Sequence, residues 1–217
     1  MKFSYHSFIQ CSLLATHQVN MLNLPTHPKY SLAPLLIVIV SIILALTEPV
    51  SSNWLAYDRS QLHNFQWWRV ITGHFLHTNT THLLLNTAGL TLLWALHGHY
   101  FKVSCYFSQF FVLCLGTSIG LYLFVEQLQW YVGLSGVLHG LFVIGAYFDI
   151  QKKFKTGWIM LLGVWLKVAH EQIYGASEEL TKMIAANVAI DAHLSGTITG
   201  STIILYYIVV KRLKIIS

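Results

Sequence analysis

The sequence predicts an all-α, polytopic membrane protein with six transmembrane helices, and its composition is the first reason. Hydrophobic residues make up 55% of the 217 residues and charged residues only 10%, whereas soluble domains average about 25% charged residues. Such a chain lacks the polar surface that folding in water requires, so a lipid bilayer is the expected solvent. The net charge is +5. Because the basic residues flank apolar segments, we attribute this excess to the cytoplasmic loops of a membrane protein rather than to nucleic-acid binding.

Six apolar segments are the second reason, since a helix needs roughly 20 apolar residues to cross the hydrocarbon core. In chain order they cover residues 31–47, 81–96, 103–125, 134–150, 157–170 and 188–210. The fifth is the shortest, and it contains Lys167. No internal repeat or second domain is visible. We therefore expect a cytoplasmic leader at 1–30, one six-span domain at 31–210 and a basic cytoplasmic tail at 211–217.

The distribution of charged residues predicts the orientation of the six spans. Lys and Arg residues cluster at 151–155 and in the tail, and single lysines precede the first and third spans. The opposite loops carry Glu48, Asp58, Glu126, Glu171, Glu178 and Glu179. Because Lys and Arg accumulate in cytoplasmic loops, both termini are expected in the cytoplasm. The long outer loop at 48–80 is rich in aromatic residues, which indicates a partly helical segment at the outer membrane surface.

Polar residues inside membrane spans are energetically costly, and the first such group is the run Gly-Leu-Ser-Gly-Val-Leu-His-Gly at 133–140. Ser135 lies at the start of the fourth span after the flexible Gly133, where the positive end of a helix dipole favours developing negative charge. Gly136 and Gly140 allow another helix to approach closely. The alternative interpretation is a serine N-cap on a glycine-packed helix.

A second group lies in the sixth span, where His193, Gly196 and Gly200 are spaced i, i+3, i+7 and share one helix face. This face can dock against the glycine face of the fourth span, which would bring His193 toward Ser135. The alternative is a buried histidine that is merely satisfied by hydrogen bonds. Asp191 lies on a different face of the helix, and we do not expect it to orient the imidazole of His193.

The third group is His82 and Asn86, which are spaced i, i+4 near the start of the second span, after His74 and His77 in the loop. Such side chains could donate hydrogen bonds to an oxyanion, or they could be polar contacts between helices. Spans two, four and six all begin at the outer face, so at about 1.5 Å rise per residue the three groups lie within roughly the outer 10 Å. Together they predict a nucleophile, a base and oxyanion donors in a water-accessible pocket.

These residues resemble the rhomboid family of intramembrane serine proteases over residues 68–200. The ordered matches are Trp68-Arg69, the HxxxxHxxxN pattern at 77–86, the GxSG run at 133–136 and the AHxxGxxxG run at 192–200. The resemblance implies a rhomboid-like bundle that cleaves transmembrane substrates near the outer membrane boundary, with Ser135 as nucleophile and His193 as base. It also implies an oxyanion hole of the Ser135 amide, His82 and Asn86, supported by Gly133. Neither a cofactor nor a metal is expected.

The chain departs from the family at His139, where many bacterial rhomboids carry a tyrosine that packs on the catalytic histidine. His139 lies four residues after Ser135, so it could be either a stacking partner of His193 or a rival base. His74 does not occupy the position of the family's usual earlier histidine. No acidic third member is required by the resemblance.

Within the family, the chain most resembles the rhombosortase branch. The runs that carry this resemblance are GLSGVLHG at 133–140, TGHFLHTNTTHLLLN at 72–86 and AHEQ at 169–172. The resemblance implies a multi-pass protein of the bacterial inner membrane. Its expected partners are the lipid bilayer and membrane-anchored proteins whose C-terminal tail combines a glycine-rich motif, an apolar helix and basic residues. No nucleic-acid partner is expected.

Two other functions stay open at the level of sequence. An inactive rhomboid-like binding protein would usually lack either Ser135 or His193, and both are present. A metal- or haem-binding membrane protein is indicated by the twelve histidines, but the chain has no HExxH motif and few intramembrane carboxylates. The sequence leaves the roles of Lys167 and Glu171 open, and the simplest interpretation is that they extend toward the outer interface.

Overall fold

The computed structural model describes residues 24–216 and is mostly helical. Its α-helices are α1 (Pro28–Leu46), α2 (Val50–Leu55), α3 (Arg59–His63), α4 (Arg69–Thr72), α5 (Thr80–His97), α6 (Val103–Phe124), α7 (Ser135–Gln151), α8 (Thr156–Tyr174), α9 (Glu178–Ile184) and α10 (Ile190–Ile216). Short 3-10 turns follow α4 and α5 at Gly73–Phe75 and Gly98–Tyr100. Two short strands, β1 (Tyr57–Asp58) and β2 (Trp130–Tyr131), pair antiparallel. Most of the predicted leader at 1–30 lies outside the described residues.

The outside of the bundle is apolar, as expected for a membrane protein. The six predicted spans are helical and correspond to α1, α5, α6, α7, α8 and α10. Three helices of the described chain are long and apolar enough to cross a membrane: Pro28–Leu46, Val103–Phe124 and Ile190–Leu213. Large apolar side chains such as Leu46, Phe124 and Ile159 are 80%, 83% and 71% exposed. Since extensive exposed apolar surface is unfavourable in water, these side chains face lipid and the chain is a membrane protein.

The predicted fifth span ended too early. Its apolar pattern stops at residue 170, whereas α8 continues to Tyr174. Glu171, expected in an outer loop, lies inside α8 and is only 7% exposed. The Lys167 ammonium lies one turn away, 2.8 Å from the carboxylate. Because the two charges neutralise each other, the helix continues through a stretch that hydropathy alone would end.

The loop at 48–80, which the sequence predicts at the outer surface, is folded, and two arginine side chains hold it. It contains α2, α3 and α4, which confirms that it is partly helical. Arg59 donates hydrogen bonds of 3.0–3.1 Å to three carbonyls at the end of α6, where the helix leaves its last carbonyls without partners. Arg69 is buried and donates to the carbonyls of Ala56 and Asn53 at 2.7 and 2.8 Å. The loop is thereby fixed against the start of the bundle.

Helices α7 and α10 dock through the glycine faces that the sequence predicts. A Cβ atom added to Gly196 would collide with the carbonyl group of Gly136. One added to Gly200 would lie 2.7 Å from the carbonyl oxygen of Gly140, closer than real Cβ atoms come. This backbone-to-backbone packing sets the short distance between the first turns of α7 and α10.

Candidate active site

The turn before α7 requires glycine at position 133. Gly133 has φ of +133°, a conformation that L side chains rarely adopt, and an added Cβ would lie 3.0 Å from the His82 ring. Its N–H donates to the Gly73 carbonyl at 3.1 Å, and its carbonyl accepts a 2.6 Å hydrogen bond from the Tyr131 hydroxyl. The turn therefore places Ser135 in the first turn of α7, where backbone N–H groups have no acceptor within the helix.

Ser135 and His193 are in hydrogen-bond contact. The Oγ atom of Ser135 lies 2.9 Å from Nε2 of His193. Ser135 is half-buried, whereas His193 is 3% exposed and lies in the first turn of α10. The two residues are 58 positions apart in the chain, and the glycine contact between α7 and α10 brings them together. This is the distance at which an imidazole can accept the proton of a serine hydroxyl.

The other ring nitrogen of His193 contacts Glu171, which sequence reasoning missed. Nδ1 lies 2.9 Å from Oε2 of Glu171, and the second carboxylate oxygen accepts from Lys167 at 2.8 Å. An ionised carboxylate only accepts hydrogen bonds, so Nδ1 carries the hydrogen and Nε2 is free to accept from Ser135. The available signal was the Lys–Glu pair at i, i+4 in an otherwise apolar helix.

His139 stacks on His193 and has both of its own ring nitrogens occupied. The ring centroids are 4.2 Å apart and the planes differ by 18°. Nδ1 lies 2.7 Å from the carbonyl oxygen of Ser135, and Nε2 lies 2.9 Å from the Lys167 ammonium. Since a carbonyl accepts and an ammonium donates, Nδ1 must carry the hydrogen of His139. The ring faces His193 with its flat side rather than with a nitrogen atom.

His82 and Asn86 lie next to Gly133 and line the same cavity as Ser135 and His193. Among the described residues, none accepts a hydrogen bond from the buried Nδ2 of Asn86. His82 contacts Thr78 through Nδ1, at 3.1 Å from the hydroxyl and 3.4 Å from the backbone N–H. His82 donates from Nε2 in the tautomer whose Nδ1 accepts from that N–H. An unpaired amide donor beside a serine is what an oxyanion hole requires.

His74 and His77 support the site without reaching Ser135. His74 is fully buried, and its Nε2 donates to the carbonyl of Cys114 at 3.0 Å. Burial lowers the pKa of His74 to about 4, although hydrogen bonds to carbonyls partly oppose this, so the ring is neutral near pH 7. His77 packs edge-on against His82, with ring centroids 5.0 Å apart. His74 and His77 therefore pack the loop against α6 and α5, respectively.

An apolar cavity of about 450 Å³ opens beside Ser135. Its polar end is formed by Ser135, His193, His139, His82, Asn86 and Lys167. The remaining wall is apolar and comes from α5, α7, α8, α9 and the segment before α10, with Leu85, Leu92, Leu93, Leu138, Phe142, Val164, Leu180, Ile184 and Val188. Such a cavity suits an apolar chain whose reacting group is polar.

The cluster around Lys167 has donor atoms that could ligate a metal. One atom each from His139, Glu171 and His193 lie within 4.8 Å of one another. The ammonium of Lys167 already lies among them, 2.9 Å from His139 Nε2 and 2.8 Å from Glu171 Oε1. A metal cation would have to displace this like charge. The residues as arranged therefore do not fit a metal.

Comparison with known proteins agrees with the geometry. The family profile described as the Rhomboid domain matches residues 64–210, which is more than half of the chain. The matched range contains every residue named above at the polar end of the cavity. No curated protein matches the chain.

Proposed function

The chain belongs to the rhomboid family, and on this premise we propose that it is an intramembrane serine endopeptidase with Ser135 as nucleophile and His193 as general base. The observation that carries the proposal is the 2.9 Å contact between Ser135 Oγ and His193 Nε2. This contact lies at the polar end of an apolar cavity within a membrane bundle. A nucleophile hydrogen-bonded to a base is the arrangement that covalent catalysis of peptide hydrolysis needs.

The acylation step uses the tautomer described above. Ser135 Oγ adds to the scissile carbonyl carbon while its proton moves to His193 Nε2. The π electrons of the carbonyl move to its oxygen, which becomes an oxyanion. The proton on Nε2 is then given to the amide nitrogen as the C–N bond breaks, which leaves an acyl-enzyme on Ser135.

The oxyanion is stabilised by donors on one side of Ser135. The proposed donors are the Ser135 backbone N–H, the amide of Asn86 and Nε2–H of His82. The unpaired Nδ2 of Asn86 supports this assignment. Because the donors are fixed before reaction in a site of low dielectric, they stabilise developing charge without reorganisation.

Deacylation reverses the roles with water. Water gives a proton to His193 Nε2 while its oxygen adds to the acyl carbon. Collapse of this second intermediate breaks the ester bond, returns the proton to Ser135 Oγ and releases a carboxylic acid. His193 therefore acts as base and then as acid in each half-reaction.

His139 is proposed to be a packing partner rather than a rival base. Its nitrogens contact the Ser135 carbonyl and Lys167, and its flat face covers His193. In this position it limits rotation of the catalytic imidazole, as the tyrosine of many bacterial rhomboids does.

We further propose that all six long helices cross the bacterial inner membrane, with both termini in the cytoplasm. In this arrangement α5, α7 and α10 begin at the outer face, and their site residues lie in the first two turns of each helix. The proposal keeps 1–30 as a cytoplasmic leader, 31–210 as the protease domain and 211–217 as a basic tail. The lysines at 152, 153 and 155 support this orientation.

The proposed substrates are secreted proteins that carry a C-terminal sorting tail, as the rhombosortase resemblance implies. Glycines in the tail would let a helix unwind near the outer surface, since glycine disfavours helix by about 1 kcal/mol relative to alanine. The apolar part of the tail would fit the apolar wall of the cavity. Its basic end would lie in the cytoplasm.

The test is cleavage of a reporter protein ending in a glycine-rich motif, an apolar helix and a basic tail, in proteoliposomes. Wild type is compared with Ser135→Ala, His193→Ala and His139→Phe. Ser201→Ala is the matched control, because within the described part of the chain the Ser201 hydroxyl donates only to the Thr197 carbonyl of its own helix. Labelling by an alkyl fluorophosphonate reports the nucleophile independently of the substrate.

We expect wild type, Ser201→Ala and His139→Phe to cleave, and Ser135→Ala to lose both cleavage and labelling. Full cleavage by Ser135→Ala would refute the mechanism. Loss with His139→Phe but not with His193→Ala would reassign the base. A reporter whose glycines are replaced by leucines should resist cleavage, and equal cleavage of both reporters would refute the sorting-tail substrate alone.

The alternatives make different predictions in the same assay. An inactive rhomboid-like binding protein would retain the reporter without cleaving it. A metal or haem protein would carry a stoichiometric metal after purification, and the three donor atoms within 4.8 Å are the observation that favours a metal. The position of the Lys167 ammonium among those atoms weighs against it.

A further inference from the structure

We infer that Glu171 is a positioning residue for His193, so that the reaction uses a serine–histidine–glutamate relay rather than a serine–histidine pair alone. The inference rests on the function proposed above. Glu171 lies in the matched range and in the AHEQ run at 169–172, but neither the family match nor that run gives it a role.

The first support is the geometry of the carboxylate. Glu171 is 7% exposed and His193 is 3% exposed, and the two are joined by a 2.9 Å contact from Oε2 to Nδ1. The other oxygen, Oε1, accepts from the Lys167 ammonium at 2.8 Å. Each oxygen thus has a separate partner, and the carboxylate is held in one orientation against the imidazole.

The second support is the energetic cost of the residue. A carboxylate within an apolar helix of a membrane protein is unfavourable unless specific partners compensate it. A pair with Lys167 alone could form at the surface of α8, as Glu178 and Lys182 do on α9 at 3.5 Å with both side chains exposed. Glu171 instead points into the bundle, toward the ring that the mechanism uses.

The chemical consequence concerns both protonation states of His193. Before reaction, the carboxylate keeps the hydrogen on Nδ1, which leaves the Nε2 lone pair for the Ser135 proton. After proton transfer, the ring is an imidazolium whose Nδ1–H donates to a charged acceptor, which stabilises the intermediate. The carboxylate stays ionised throughout and takes no proton.

Lys167 has two opposing effects on this relay. It holds the carboxylate, but its ammonium also lies 3.4 Å from Nδ1 and repels the imidazolium. The carboxylate contact is shorter and forms a hydrogen bond, so attraction exceeds repulsion. Because Nδ1 carries the hydrogen in this tautomer, it cannot accept from Lys167, and the ammonium donates to Glu171 and His139 instead.

The experiment compares Glu171→Gln, Glu171→Asp and Glu171→Ala with wild type in the reporter assay, with kcat and KM measured separately. Glu178→Gln is the matched control, because it removes the carboxylate of an i, i+4 Lys–Glu pair that does not touch His193. Thermal unfolding in detergent checks the fold of each variant. The Nδ1–H proton resonance of His193 reports the hydrogen bond itself.

We expect Glu171→Gln to lower kcat about 100-fold or more with KM nearly unchanged, and to remove the downfield Nδ1–H resonance. Glu171→Asp should restore part of kcat, and Glu178→Gln should match wild type. A Glu171→Gln variant that is folded and keeps kcat within about twofold would overturn the inference while leaving the protease intact. A wild-type protein that neither cleaves nor reacts with the fluorophosphonate would overturn the proposed function and the relay with it.

Discussion

Two histidine–carboxylate pairs lie near opposite ends of α7, and only one has the surroundings of an active site. In the orientation proposed above, His193–Glu171 is the outer pair and His97–Asp149 is the inner pair. At the start of α7, His193 lies between Glu171 and Ser135. About 20 Å along the same helix, His97 Nε2 lies 3.2 Å from the carboxylate of Asp149. Both histidines are 3% exposed. The pairs are therefore alike in chemistry and burial.

The difference lies in what the second nitrogen and the second oxygen contact. In the outer pair, the far side of the imidazole meets a serine hydroxyl that lines an apolar cavity. In the inner pair, Asp149 also accepts a 2.5 Å hydrogen bond from the Tyr100 hydroxyl, and Nδ1 of His97 has no hydrogen-bond partner among the described residues. A buried histidine–carboxylate pair thus becomes chemically useful only beside a nucleophile and a space for substrate.

The largest effect on cleavage should come from replacing the histidine of each pair by alanine, one variant for each pair. His193→Ala should lower kcat/KM about 10⁴-fold, because the base is lost. It should also lower the free energy of unfolding, because Glu171 loses a buried partner and keeps only Lys167 among the described residues. His97→Ala should leave cleavage within about tenfold of wild type and lower the free energy of unfolding by about 1–3 kcal/mol, because Asp149 loses a buried partner. Cleavage rates and detergent unfolding curves for both variants test this. Loss of cleavage in His97→Ala but not in His193→Ala would assign the base to the His97–Asp149 pair instead.

Asn86→Ala should have the next largest effect and act on cleavage alone. Loss of one oxyanion donor typically lowers kcat by about 10² to 10³. Thr91→Ala is the control on the same helix, because among residues 24–216 its hydroxyl donates only to the Thr87 carbonyl. Single-turnover cleavage rates separate the two variants. Wild-type kcat in Asn86→Ala would exclude this amide from the oxyanion hole, whatever the role of His82.

Gly196→Ala should act on stability and on cleavage together. The added methyl group would collide with the Gly136 carbonyl, so α10 must move away from α7, at a cost of about 1–3 kcal/mol. The same movement should lengthen the contact between Ser135 and His193. Gly163→Ala is the stability control, since an added Cβ there meets nothing within 4 Å. Equal unfolding temperatures for the two variants would contradict the glycine docking.

The docking of Ser135 and His193 was predictable because helical periodicity fixes which residues share a face. Glycines at i+3 and i+7 from His193 indicate the contact face of α10, and Gly136 and Gly140 indicate that of α7. Likewise, a positive φ before the serine could be expected from Gly133. These features depend on residues close together in the chain.

The contacts that α8 makes with the candidate active site could not be predicted in the same way. Glu171 reaches His193 only because α8 packs beside α10 at one particular rotation. A prediction from hydropathy ends the span at Glu171, because charged residues lower the mean hydropathy there. The proposal that His139 is a stacking partner rather than a base depends on its contact with Lys167, which lies 28 positions away. Contacts of this kind follow from tertiary packing rather than from local pattern.

The smallest effect should come from replacing the carboxylate of the inner pair by an amide. Asp149→Asn keeps an oxygen to accept from Tyr100 and gains an N–H that can donate to His97 Nε2, so both contacts survive as neutral hydrogen bonds. We expect a loss of about 1 kcal/mol in unfolding free energy or less, and wild-type cleavage. The same substitution at Glu171 removes the charge that stabilises an imidazolium during reaction. Measuring kcat for Asp149→Asn and Glu171→Gln side by side therefore tests the comparison directly. If a folded Asp149→Asn lost as much kcat as Glu171→Gln, the inner pair would have a part in the reaction, and the functional difference between the two ends of α7 would be wrong.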